Sequence, residues 1–314
     1  MAKKYERVPE LSLNDWIDGD ANRREAFRQD LWDGFKHFGF IILKDHGVAR
    51  SLLQACYRAS ATYFAQDDET KMVHFRPDGQ RGYTPFGREH AKNSNHGDLK
   101  EFWHVGRPFE NGSPLEDIYP VNVWPDAPAD FKAVFLEVYE ALEEAGMVML
   151  DALAPSLNVE PEYFRNMATD GNSILRLLHY PPISDDADPN AVRAAAHEDI
   201  NLITILVAAN GGGLELLDRD GKWLPVETDP ENLIVDAGDM LARVTNDIIP
   251  ATTHRVVNPS GPNVSRYSMP FFMHPHSNAI LSCLDSCRGN GAKYEDITAD
   301  AFLKQRLQEI GLKS

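Results

Sequence analysis

The stretch His197-Glu198-Asp199-Ile200-Asn201-Leu202-Ile203-Thr204-Ile205-Leu206-Val207 decides how this chain is read. Two ligand-type residues separated by one position lead directly into an apolar, β-branched run, the pattern of a buried strand with chemistry at its mouth. On a strand, alternation puts His197 and Asp199 on one face, and His254 of His254-Arg255-Val256 can meet them from another strand. Two imidazoles and one carboxylate then share a site and leave several coordination positions open. Such a facial set suits non-haem Fe(II).

A His-x-Asp tripeptide alone is a weak signal, because a chain with 11 His and 48 acidic residues carries such tripeptides by chance, and His96-Gly97-Asp98 is a second one. Context separates the two. His96 lies in an irregular segment followed by a helix-like or mixed stretch, Leu99 to Trp103, whereas His197 precedes a buried strand and is followed by a second polar signature, Arg266-Tyr267-Ser268. Arg266 and Ser268 are two apart, so guanidinium and hydroxyl share a strand face and can jointly bind a carboxylate. The flanking Met269-Pro270-Phe271-Phe272 marks core, where an arginine requires an anionic partner. Tyr180, at the end of the run Ile174 to Tyr180, can add a third hydrogen bond. The plainer alternatives are a hydrogen-bonded core His254, a surface Arg266 with a capping serine, and a structural Tyr180 before Pro181-Pro182.

The chain has 314 residues, 43% of them hydrophobic and 25% charged, without repeats or low-complexity tracts. Such a composition folds throughout and buries a substantial core. A net charge of −17 argues against nucleic-acid or anionic-membrane surfaces and favours small-molecule chemistry. The start Met-Ala-Lys-Lys-Tyr-Glu-Arg leads into no apolar signal core and no run reaches transmembrane length, so a cytoplasmic protein is expected. Cys56, Cys283 and Cys287 are too few and too uneven for a disulfide framework, and Cys283 and Cys287 lack companions for a metal site.

Helical spacing is read from Ala21 to about His37, from Ala49 to Phe64, and from Pro128 to about Leu157, with Phe40 to Leu43 as a buried strand after the first. Arg76 to Asp126 reads as an irregular segment that can lid a site. After Gly171 come short apolar runs: Ile174 to Tyr180, Ile200 to Val207, Leu214 to Leu217, Trp223 to Val226, Leu233 to Val235, Met240 to Val244, His254 to Val257 and Arg266 to Phe272. Eight strands with turns such as Arg219-Asp220-Gly221 imply a jelly roll. A last helix is expected at about Ile297 to Ile310. No linker divides the chain, so a single domain spanning 1–314 is expected: a helical buttress with loops (about 1–170), a jelly-roll core carrying the metal site (about 171–280) and a helical C-terminal segment (about 281–314). The fold class is mixed α/β with a β-rich core.

The motifs resemble the isopenicillin N synthase-like family of non-haem iron oxygenases, most of which use 2-oxoglutarate. The likeness runs over roughly residues 5–280. It includes Phe38-Gly39-Phe40, Asp45-His46-Gly47-Val48, Arg81-Gly82-Tyr83, Val121 to Asp126, Arg176 to Pro181, the run from His197 to Leu206, Gly212-Gly213-Leu214, Asp220 to Trp223, Gly238-Asp239, Thr245-Asn246 and His254-Arg255-Val256. Leu178 stands where many plant relatives have Asn. The resemblance implies a distorted double-stranded β-helix with iron held by His197, Asp199 and His254. It also implies 2-oxoglutarate bound through Arg266, Ser268 and Tyr180, O₂ as co-reactant, and hydroxylation, desaturation or cyclisation of a small molecule. Two other readings remain: an isopenicillin N synthase-like oxidase acting on a peptide-like substrate without 2-oxoglutarate, and a non-catalytic metal or small-acid binding protein on the same barrel. Substrate contacts are expected from Arg81, Tyr83, Phe86, Arg88 and His104 in the irregular segment and from Phe272. The two arginines point to a carboxylate-bearing substrate.

Overall fold

Period-two alternation in the apolar runs assigns each side chain to one of two walls, and a computed structural model shows both. It describes residues 6–88, 99–184, 192–207, 212–258 and 262–309. An eight-stranded sheet runs in the order Glu10–Ser12, Phe40–Lys44, Leu233–Ala237, Ile203–Val207, Arg266–Met273, Ile174–Tyr180, Glu101–Gly106, Gly82–Thr84. Its pairs are antiparallel except the first. A second antiparallel sheet runs Ala194–His197, His254–Val256, Leu214–Leu217, Trp223–Pro225. Phe40, Ile42 and Ile234 of the large sheet cluster with Ala194, Leu214, Leu216 and Val256 of the small one. The two sheets therefore face each other, in the distorted jelly roll that the strand pattern implied.

The other face of the large sheet carries Ile41, Leu43, Val235, Ile203, Ile205, Met269, Phe271, Leu175 and Leu177, all in one apolar cluster with the helices. Helix Ala21–Phe38 begins where Asp20 accepts the Asn22 and Arg23 amides, and it stops at Gly39, whose φ of +68° lets the chain turn into Phe40–Lys44. It buries Phe27, Leu31, Phe35 and Phe38. Helix Phe131–Leu153 buries Phe131, Phe135, Val138, Leu142 and Met149 against the same sheet. Each such side chain contributes roughly 1.5–3 kcal/mol when fully buried, so packing of these stripes holds the buttress in place.

Three expectations are revised. Met240 to Val244 is not a strand but part of the helix Asp239–Val244, since a run this short carries no periodicity that separates the two forms. The segment from Arg76 to Asp126 is not wholly irregular: Gly82–Thr84 and Glu101–Gly106 extend the large sheet, and the helix-like reading of Leu99 to Trp103 gives way to strand. The run at Ile200 starts its strand only at Ile203. His96-Gly97-Asp98 lies outside the described residues. Cys56, Cys283 and Cys287 are buried free thiols. Among the described residues, no helix is long and apolar enough to cross a membrane.

Candidate metal and cosubstrate site

Where the chain passes from the small sheet to the large one, His197 ends the strand Ala194–His197 and Asp199 sits in the link before Ile203–Val207. Alternation along one strand is thus not what unites them. His254 is the cross-strand partner of His197, and their rings lie 4.4 Å apart. One ligand atom from each of His197, Asp199 and His254 falls within 4.8 Å of the others. Both His Nε2 atoms face the same carboxylate oxygen, Asp199 Oδ1, at 3.8 and 4.0 Å.

The surroundings prepare this set for a cation. His197 Nδ1 donates to the Ala195 carbonyl at 2.7 Å and His254 Nδ1 to the Thr252 carbonyl at 3.1 Å, which leaves Nε2 of each as the ligand nitrogen. Crowding by protein, together with the neighbouring His254, pushes His197 down to about 4, so its imidazole is neutral as ligation requires. Thr204 Oγ1 donates to Asp199 Oδ2, and Asn201 Nδ2 donates to Thr204 Oγ1 at 2.9 Å. Asp236 lies across the ladder from Thr204 and beside Asp199. Burial and the neighbouring Asp199 carboxylate raise Asp236 well above the ordinary range.

Phe272 stands opposite Thr204 on the ladder, and Arg266 and Ser268 lie on the same face by alternation. Arg266, Ser268 and Tyr180 therefore line the wall that carries the Asp199 support. All three are at most 3% exposed. Arg266 pairs with Tyr180 across the strands and lies 5.0 Å from its ring centre. Arg266 Nε and Nη1 are buried with no hydrogen-bond partner. A buried guanidinium with two idle donors calls for an anion, and the donor set beside it suits a divalent cation. The residues present thus fit both Fe(II) and a 2-oxo dicarboxylate.

A profile described as the N-terminal region of non-haem dioxygenases in morphine synthesis matches residues 8–127, and that of the 2OG-Fe(II) oxygenase superfamily matches residues 171–275. Proline hydroxylase buaE of Petromyces alliaceus is 30% identical over 320 residues, covering 96% of this chain and 98% of that protein. The chain belongs to the 2OG-Fe(II) oxygenase superfamily. A solved 2OG-Fe(II) oxygenase family protein of Caulobacter crescentus is 42% identical with a TM-score of 0.87, covering 98% of this chain and 100% of the other. A full-length Neurospora crassa protein, solved in complex with alpha-KG, reaches a TM-score of 0.86 at 28% identity, with 98% of each chain covered. The protein is an Fe(II)/2-oxoglutarate-dependent oxidoreductase.

The remaining expected residues of this oxygenase fall in different places. Phe272 is half-buried on the inner wall, with the Arg176 guanidinium 5.2 Å from its ring centre and 4.4 Å from that of Phe102. His104, on the same wall, accepts from Arg176 Nε at 2.7 Å and donates through Nδ1 to the Gly79 carbonyl at 2.8 Å. Arg81 is buried, bonded to the Pro120 and Gln80 carbonyls at 3.2 and 2.8 Å, and fills the space that a side chain at Gly106 would take. Its Nη2 is buried without a partner. Tyr83 points to the helix side instead, donating to Glu101 Oε2 at 2.5 Å beside Trp103. Phe86 and Arg88 are exposed, with Arg88 4.8 Å from the Phe75 ring centre.

Sequence reasoning missed Thr204, Asn201, Asp236 and Arg176. Thr204 and Asn201 were visible as polar interruptions in an apolar run. Asp236 was visible in the same way in Leu233-Ile234-Val235-Asp236-Ala237, where a charge at a core position signals a partner.

Proposed function

We propose that His197, Asp199 and His254 hold Fe(II), and that Arg266, Ser268 and Tyr180 bind the carboxylate of 2-oxoglutarate farther from the metal. The substrate, a carboxylate-bearing small molecule, then occupies the inner wall beside Phe272 and His104. The observation that carries this reading is the pair of idle, buried N–H donors on Arg266, on the wall that also carries the Thr204–Asp199 contact. The 1–314 chain acts as one oxygenase unit, with the helices holding the back of the sheet. When bound, iron and 2-oxoglutarate supply the chemistry, coupling decarboxylation of the 2-oxo acid and O₂ reduction to hydroxylation, desaturation or cyclisation of the substrate.

The protein's own part is geometric and electrostatic. The Ala195 and Thr252 carbonyls fix the tautomer and ring plane of the two histidines, and Thr204 with Asp236 orients Asp199 so that Oδ1 faces both Nε2 atoms. Arg266 and Ser268 supply charge-assisted hydrogen bonds on a strand held by neighbours on both sides, which sets the reach of the dicarboxylate toward the metal. Phe102, Arg176 and Phe272 form an aromatic-cation-aromatic stack that walls the space against water. Arg81 Nη2, buried beside Gly106 without a partner, is the candidate donor to a substrate carboxylate.

The small molecules tied to the relatives differ: buaE is a proline hydroxylase, and the Neurospora protein was solved in complex with alpha-KG and thymine. The superfamily match and the alpha-KG-bound neighbour favour the 2-oxoglutarate-dependent reading over an oxidase without that cosubstrate. The test is stoichiometric. Fe(II)-reconstituted protein in air should convert 2-oxoglutarate to succinate, slowly alone and faster with a carboxylate-bearing substrate, and Asp199→Ala should abolish both. Absence of succinate in the wild-type protein across a panel of amino acids and organic acids argues against the proposal.

A further inference from the structure

We propose that Arg193 is a second cosubstrate-binding residue, which together with Arg266 forms a two-guanidinium cradle around the carboxylate of 2-oxoglutarate farther from the metal. This rests on the cosubstrate site proposed above and adds a residue to it. Arg193 is 4% exposed and Arg266 3%. Their guanidinium carbons lie 6.0 and 5.0 Å from the centre of one ring, Tyr180. Arg193 is held in place by its Nη2, which donates to the Val264 carbonyl at 2.8 Å, and by its backbone amide, which donates to Asn258 Oδ1 at 3.1 Å. Its Nε is buried without a partner, as are Nε and Nη1 of Arg266.

Three buried N–H donors on two cations thus surround one aromatic ring, and neither arginine forms an ion pair among the described residues. The acidic surplus of the chain makes this notable, because 48 acidic residues outnumber 31 basic ones and two other buried cations do find a carboxylate. Lys71 reaches Glu101 and Arg107 reaches Glu143. Guanidinium does not deprotonate at accessible pH, so the repulsion between two such groups must be met by an anion. Burial and the charge of Arg266 both act against Arg193 in the absence of one. A carboxylate between the two guanidiniums answers all three donors, and Arg193 directly precedes the strand Ala194–His197 that ends in a ligand. The ligand class is a dicarboxylate with a 2-oxo acid at the other end. A monocarboxylate 2-oxo acid leaves both cations unanswered.

The test uses the full chain loaded with Fe(II) under anaerobic conditions and reads 2-oxoglutarate binding by calorimetry and by the visible absorbance change, not by turnover. Arg193→Gln should raise the 2-oxoglutarate Kd about tenfold or more, equivalent to about 1.4 kcal/mol, with Fe(II) affinity unchanged. Arg193→Lys, which restores the charge, should recover most of the loss, a rescue that a purely structural strut on Val264 would not show in the ligand affinity alone. Arg193→Met keeps the buried bulk and replaces the Gln variant if that one does not fold. A Kd within about fivefold of wild type in the folded neutral variant, alongside lost binding in Arg266→Gln, overturns the cradle. If Arg266→Gln also binds as wild type does, the cosubstrate site itself is wrong, and the two failures are thereby told apart.

Discussion

Thr204 shows how much of the metal site lies outside its three ligands. Its hydroxyl ties Asp199 Oδ2, so Oδ1 is the oxygen turned toward both histidines. Thr204→Val keeps the strand shape and removes the hydroxyl; Fe(II) affinity, measured by chelator competition, should fall roughly 10–100-fold while thermal stability stays close to wild type. Unchanged affinity would mean that Asp199 needs no such support. The ligands themselves were legible in the sequence, since His197, Asp199 and His254 stand in short motifs of polar residues beside apolar runs. Thr204 and Asp236 stood out only as polar residues inside apolar runs, and what they do was not legible, because each acquires its role only through a neighbour that the fold brings to it. Tyr83 illustrates the converse: its motif suggested a contact with substrate, but the pleat turns it to the helix side.

At the scale of elements, the strand bearing Glu101 joins the sheet to the helical layer through a buried polar knot. Glu101 accepts from Lys71 Nζ at 2.9 Å, His179 Nδ1 at 2.7 Å and the Tyr83 hydroxyl at 2.5 Å. Burial alone would raise this carboxyl, but the bonds from His179, Tyr83 and Lys71 outweigh it and hold Glu101 below the usual carboxylate range. A depressed folded value means that the stabilisation is fully present above the unfolded value, about 4.3, and is lost as pH falls through the folded one. Glu101→Gln should therefore cost about 3 kcal/mol in urea unfolding at pH 7, with the gap to wild type closing below about pH 4. A gap that is constant with pH would assign the loss to packing instead. Glu101 also explains why this strand was read as irregular or helix-like, since a buried charge breaks the expected apolar alternation. The helix Asp239–Val244 was misread for a different reason: apart from Arg243, Met240 to Val244 is apolar and too short to show a period, and Gly238 before it packs against the Asn201 backbone. A Cβ at Gly238 would collide with the Asn201 carbonyl oxygen, two residues after Asp199. Gly238→Ala should lower stability by about 1–3 kcal/mol and weaken Fe(II) binding as well. An effect on melting temperature without one on metal affinity would show that the link carrying Asp199 absorbs the shift.

For the whole molecule, two facing sheets form the site and a helical layer on the outer face of the larger one stiffens it. This architecture was readable from run lengths after Gly171, while the extension of the large sheet by Gly82–Thr84 and Glu101–Gly106 was not, because those strands are short and carry polar residues. The resident groups bind only the folded chain, so Fe(II) and 2-oxoglutarate, each at about 100 times its Kd, should together add about 5 kcal/mol and raise the melting temperature by on the order of 8 °C. Equal melting curves with and without them would place both outside the barrel. The central claim is that the space between the two sheets holds a metal through His197, Asp199 and His254 and a 2-oxo dicarboxylate through Arg266 and Ser268. The most direct test is anaerobic addition of 2-oxoglutarate to the Fe(II) protein, followed in the visible range. The account predicts a weak charge-transfer band in wild type, its loss in Asp199→Ala, and a shift of its titration to much higher 2-oxoglutarate concentration in Arg266→Gln. No band in wild type, or a titration unchanged in Arg266→Gln, would contradict it.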